Sequence, residues 1–212
     1  MNLITACPRS GTLYISNVMR RCGLDMPHEM TGKDGTVSYF FAVDASWYPI
    51  YSAMQKSGRR LRHHENGKRR DFAFKNFIHQ MRDPIKCIAS MCAVVVVRDW
   101  EWIEHHTGIH HKMKPKEVRA AKFWCKWNQL IRDQKPDMAY RVEDIDTVWP
   151  ELANLTGIDL QKHPTVPDTS RTMHRIGGYR APKPLTFDML RAMDASVADE
   201  LKDVAASFGY TI

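Results

Sequence analysis

The feature that most constrains the fold is a crossing from buried strand to helix at the start of the chain. Residues 2–7, NLITAC, are short, apolar and partly β-branched, as in a buried strand. PRSGT (8–12) supplies turn chemistry, and Thr12 to Cys22 places Leu13, Ile15, Val18 and Met19 at helical spacing before Gly23 ends the run. A second crossing follows downstream. FAFKNFIHQM (72–81) is predicted as a strand, RDP as its turn, and a helix is predicted from Pro84, where the missing N–H of proline costs little. Two such crossings imply a parallel sheet, because only a crossover connection returns the next strand in the same direction.

Further elements fit this alternation. KEVRAAKFWCKWNQLIRDQ (116–134) is an amphipathic helix with Val118, Ala121, Trp124 or Cys125, and Leu130 turned inward, and Trp124 and Trp127 are expected in the core. Met138 to Val142 is predicted as a strand, DTVWPELANLTG as a short helix closed by Gly157, and two helices are expected from Leu185 onward. The expected architecture is α/β: a three-layer, P-loop-like fold with a central, mostly parallel sheet flanked by helices. With 212 residues and no linker-like tract, the expectation is a single domain over 1–212.

Composition narrows the setting. Apolar residues at 43% and charged residues at 26% are those of an ordinary globular domain. The apolar run Ile88 to Val97 falls short of the roughly 20 residues a bilayer requires, so no membrane insertion is expected. No basic leader or apolar signal segment follows Met1, and a cytoplasmic location is expected. The five cysteines form no Cys-x-x-Cys pair and are expected to be buried free thiols. A net charge of +7 favours anionic ligands. The basic segment GRRLRHHENGKRR (58–70) lacks interleaved aromatics and is expected to be a solvated loop with no nucleic-acid role.

The first loop has the parts of an anion cradle. A small-residue turn between strand and helix points backbone N–H groups at a ligand, and the helix dipole favours negative charge there. In CPRSGTLY, Gly11 permits close approach, Arg9 brings charge, and Ser10 and Thr12 bring hydroxyl donors. The Gly-Lys-Ser/Thr of an ATP-binding loop is absent. In the second crossing, Arg82 lies at a strand end and Ser90 about two helical turns on, at the same end of the sheet, where open α/β folds bind ligands.

Together, PRSGT, RDPIKCIAS with its Arg and Ser eight apart, YRVEDI (140–145) and the segment RTMHRIGGYR resemble sulfotransferases that use 3′-phosphoadenosine 5′-phosphosulfate (PAPS). The small bacterial and phage-type members are the most similar. GLDMPHE, DGTVSYF and FWCKWNQLI extend the resemblance, in order, through most of the chain. It implies that Arg9, Ser10, Gly11 and Thr12 cradle the phosphosulfate and that Arg82 and Ser90 recognise the 3′-phosphate. Arg175 is implied to close over that phosphate, with Arg171 and Arg180 as alternatives. Leu13 departs from the pattern, standing where a second hydroxyl residue is common.

The implied reaction moves a sulfuryl group from PAPS to a hydroxyl of a carbohydrate, lipid-linked or small-molecule acceptor, leaving 3′,5′-adenosine bisphosphate. Arg9 is expected to stabilise the charge developing on the departing nucleotide. As the base, Glu29 is favoured over His28, because a carboxylate with an ordinary pKa of about 4.3 is ionised and burial can raise that value. The bland reading pairs either residue with Arg20 or Arg21. Tyr39, Phe40, Trp47 and Trp100 either line an acceptor pocket or pack in the core. The cluster EHHTGIHHK is expected to be a loop without a metal, since only His106 and His110 have i, i+4 spacing and no carboxylate completes a set. Two other functions compete with this one: a P-loop nucleotide or small-molecule kinase, and a basic nucleic-acid-binding module.

Overall fold

A computed structural model describes residues 1–43, 72–93, 97–160 and 181–212. The two strand-to-helix crossings are present. β1 (Asn2–Ala6) leads to α1 (Thr12–Arg21), and β3 (Asn76–Met81) leads to α2 (Pro84–Ala93) with Pro84 as the first helical residue. Between them lies β2 (Gly35–Val37). The chain continues through α3 (Val97–Thr107), α4 (Lys116–Arg132), β4 (Met138–Arg141), α5 (Ile145–Thr156), α6 (Phe187–Met193) and α7 (Ala195–Ser207).

All four strands are parallel, in the order β2-β1-β3-β4. One apolar cluster joins Ile15, Val18 and Met19 of α1 and Trp149 and Leu152 of α5 to Ile4, Ile78 and Tyr140 of the sheet. A second joins residues of α2, α3, α4, α6 and α7, among them Ile88, Trp102, Trp124, Leu190 and Leu201. The sheet is therefore the middle of three layers. Trp124 and Trp127 are in the core as expected, whereas Leu130 is half-buried and Ile131 takes the inward position. The cysteines are free thiols, and all are buried except the half-buried Cys92.

Three departures from the sequence expectations have identifiable causes. The second strand begins at Asn76, not Phe72: Phe72 and Phe74 instead pack on Phe41, with ring centroids 5.1 and 5.6 Å away. The Asn76 side chain then donates to Asn2 Oδ1 and to the Leu155 carbonyl, both at 2.7 Å, which anchors the strand's entry. β2 has three residues, too short for a periodicity to be visible in sequence. The EHHTGIHHK segment, expected to be a loop, begins in the last turn of helix α3, which spans residues 97–107; Trp102 is its anchor, packed on Phe40 and Trp127. Among the described residues, no helix is long and apolar enough to cross a membrane.

The order of the described strands reverses beside β1. From β1 the chain crosses over α1 to β2 on one side, while β3 and its helix α2 lie on the other side of β1. The crevice beyond the carboxyl ends of β1 and β3 is thus a topological switch point, the usual ligand position in open parallel sheets.

Candidate functional site at the ends of β1 and β3

The loop after β1 occupies that crevice. Arg9 and Gly11 both have left-handed backbone, with φ of 73° and 85°. For Gly11 this conformation carries no Cβ penalty, whereas Arg9 is held in a region that ordinary residues rarely adopt. Ser10 N–H donates to the Cys7 carbonyl at 3.1 Å, closing the turn. Gly11 is the N-cap of α1 and no side chain caps this helix end, so its first N–H groups face the crevice with no partner inside the helix.

Buried polar residues hold the loop from below. Gln80, fully buried on β3, donates through Nε2 to the Ser10 carbonyl at 2.6 Å, and its Oε1 accepts from the Tyr140 hydroxyl at 2.6 Å. The carbonyl can only accept, which fixes the amide's orientation. A Cβ on Gly11 would lie 3.4 Å from Gln80 Nε2 and 3.4 Å from Val142, so the loop backbone sits directly on this support.

Arg9, Arg82 and Ser90 come together, from loops and a helix far apart in sequence. Arg82, just beyond β3, donates from a guanidinium nitrogen to the Arg9 carbonyl at 2.9 Å. Arg9 Nε donates to the Ser90 hydroxyl of α2 at 3.1 Å. Ser10 is fully buried, with its hydroxyl turned under the loop to Cys87 at 3.5 Å, and the Thr12 hydroxyl, also buried, meets His28. Arg82 is thus bonded to the loop backbone.

A buried thiol reports the electrostatics of this corner. Cys7 and Cys87 are both fully inaccessible and hydrogen-bonded to each other. Cys87 also donates to the Pro8 carbonyl at 3.3 Å and lies 3.5 Å from the Ser10 hydroxyl. Burial pushes the Cys87 thiol up, but its hydrogen bonds with Cys7 and Ser10 and the charges of Arg82 and Arg9 outweigh burial and bring it below the ordinary thiol value. Burial and the Cys87 contact drive Cys7 well above it. Arg82 and Arg9 thus both bring positive charge to bear on the thiol beneath the loop.

His28 and Glu29 reach the same loop by another route. The chain after α1 runs beside β2, with Glu29 N–H donating to the Val37 carbonyl at 3.0 Å. This brings His28 Nε2 to 2.9 Å from the Thr12 hydroxyl. Its side chain is 32% exposed against 6% for Glu29. The Glu29 carboxylate accepts from the Ser38 hydroxyl at 2.8 Å and lies 3.6 Å from His28 Nε2, and its backbone is left-handed at φ 56°.

Other sequence candidates fall elsewhere. Tyr39 and Phe40 are core residues packed on Trp102. Trp100 is half-buried against Phe123 and beneath the Arg119 guanidinium. Arg175, its alternatives Arg171 and Arg180, Trp47 and the basic segment 58–70 lie outside the described residues. The histidine cluster differs from its expectation: His105 and His106 are helical, and a carboxylate does join the others, since Glu104 lies with His110 and His111. Gln80 and the Cys7–Cys87 pair were not singled out by sequence. The available signal was the polar pair His79-Gln80 inside a strand with helices on both faces, where both side chains must be buried.

No protein-family model, curated protein or solved structure matches the chain.

Proposed function

We propose that the chain is a PAPS-dependent sulfotransferase, with its nucleotide site at the carboxyl ends of β1 and β3. The observation that carries the reading is the convergence of Arg9, Arg82 and Ser90 on the uncapped start of α1. Two arginines and a row of backbone N–H groups suit a ligand with two separate anionic groups. The loop has no lysine in the position a nucleotide kinase uses for the β- and γ-phosphates, which disfavours the kinase reading.

PAPS would supply the sulfuryl group, and the residues have the following roles. Arg9 and the N–H groups of the 9–12 loop hold the phosphosulfate and stabilise the charge on the bridging oxygen as the S–O bond breaks. Arg82 and Ser90 hold the 3′-phosphate. His28, half-exposed at the rim, takes the acceptor's hydroxyl proton as its oxygen bonds to sulfur, and 3′,5′-adenosine bisphosphate departs. Glu29, buried against Ser38, orients His28 and stabilises its protonated form. The geometry thus favours His28 for the proton transfer and Glu29 for support. The acceptor is a hydroxyl of a carbohydrate, lipid-linked or small-molecule compound.

Calorimetric titration with 3′,5′-adenosine bisphosphate, 5′-AMP and Mg-ATP tests this. The bisphosphate is expected to bind most tightly, and Arg82→Ala to weaken it roughly ten- to hundredfold, as for loss of a charged hydrogen bond of about 1.5–3 kcal/mol. Preference for Mg-ATP, or an Arg82→Ala variant that binds the bisphosphate as well as the parent, would overturn the reading.

A further inference from the structure

We propose that Glu104, His110 and His111 form a binding site for a divalent cation of the zinc class, separate from the residues of the anion site. Each offers one ligand atom, and the three atoms lie within 4.8 Å of one another. Glu104 stands in the last turn of α3. Gly108, at φ 70°, donates its N–H to the Glu104 carbonyl at 2.8 Å and reverses the chain, so that His110 and His111 return to the carboxylate.

Backbone contacts hold this arrangement. His111 N–H donates to Glu104 Oε2 at 3.1 Å, and Lys112 N–H donates to His110 Nδ1 at 3.0 Å. The two imidazoles stack with planes 11° apart and centroids at 4.9 Å. Arg119 of α4 donates to the His111 carbonyl, and its guanidinium rests 4.2 Å from the Trp100 ring centroid. The ligand-bearing turn is therefore tied to the α4 helix and is preorganised.

The donor set decides the ion. Two imidazole nitrogens and one carboxylate oxygen suit zinc and its transition-metal neighbours, whereas magnesium and calcium prefer oxygen cages. Ligands at about 2.0–2.2 Å on a tetrahedral ion stand about 3.3 Å apart, so closing the set takes rotations of half-exposed and exposed side chains. Three protein ligands leave the fourth position to water. Without the ion, His111 Nδ1 and Glu104 Oε2 sit 2.6 Å apart in a hydrogen bond, which ion binding exchanges for coordination. Lys112 and Arg119 oppose a cation and moderate its affinity. His105 and His106 are engaged elsewhere, with His106 edge-on to Trp102 at 4.6 Å.

The test uses the full chain stripped with EDTA. Zn²⁺ is titrated by calorimetry and Co²⁺ by visible absorption, with Mg²⁺ for comparison. Expected are one equivalent of Zn²⁺, intense Co²⁺ d–d bands and no saturable Mg²⁺ binding. Glu104→Gln and His110→Ala should each weaken Zn²⁺ by about tenfold or more, while His105→Ala leaves it unchanged. Metal-free melting curves identify any variant that misfolds, and the other variant then decides. No saturable Zn²⁺ binding, or binding indifferent to Glu104→Gln and His110→Ala, would overturn the proposal.

Discussion

If Gln80 supports the anion loop through both ends of its amide, removing Tyr140's hydroxyl must have opposite consequences in two backgrounds. In the parent protein, Tyr140→Phe leaves Gln80 Oε1 buried without its 2.6 Å partner, a cost of about 1–3 kcal/mol. Gln80→Leu orphans two groups, the Ser10 carbonyl and the Tyr140 hydroxyl, and by the same reckoning costs about 2–6 kcal/mol. Adding Tyr140→Phe to Gln80→Leu then removes an orphan instead of creating one, so it should be neutral or stabilising. Urea unfolding of the four proteins, followed by tryptophan fluorescence, gives this cycle directly. Gln80→Leu should also weaken 3′,5′-adenosine bisphosphate binding, because the Ser10 peptide is no longer held. A Tyr140→Phe cost that is the same in both backgrounds would refute the coupled support.

Two further outcomes concern stability. Burial, partly offset by the Asn128 hydrogen bond and reinforced by the charge of Arg132, lowers His79 from 6.5 to about 4. Asn128 Nδ2 donates to the Trp124 carbonyl, so its oxygen takes the His79 Nε2–H, and a proton on the buried Nδ1 would have no acceptor among the described residues. The unfolded chain takes up that proton as pH falls and the folded chain resists it, so stability is full above pH 6.5 and drops by about 3 kcal/mol toward pH 4. Urea unfolding across this range should show a shallower drop for His79→Gln, and equal slopes would contradict the assignment. At Gly35, with φ 145°, an added Cβ would meet the Asn2 carbonyl oxygen at 1.9 Å, a backbone atom fixed by the β1–β2 pairing. Gly35→Ala should cost about 3 kcal/mol or more by chemical denaturation, and a loss under about 1 kcal/mol would count against the β1–β2 register.

The parts of the fold legible in sequence were those with long-range patterning. The strand-loop-helix crossings at 2–21 and 76–93 follow from an apolar run, turn residues and a helical period, and those three signals together imply the parallel sheet. Arg9 and Arg82 could be placed at one sheet end because parallel strands put all their following loops there. What stayed hidden depends on contacts across the chain. Asn76 starts β3 because Asn2 and Leu155 are its partners, and neither is near it in sequence. The Glu104 contact to His111 spans seven residues through a left-handed glycine, which no helical spacing rule anticipates. The roles proposed for His28 and Glu29 turn on which is exposed, and that depends on how the 27–29 segment lies beside β2.

The most direct test of the central claim is a crystal structure of the protein with 3′,5′-adenosine bisphosphate. The 5′-phosphate is expected on the backbone of residues 9–12 and the 3′-phosphate beside Arg82 and Ser90. A nucleotide bound elsewhere, or one whose 3′-phosphate points away from Arg82, would contradict it.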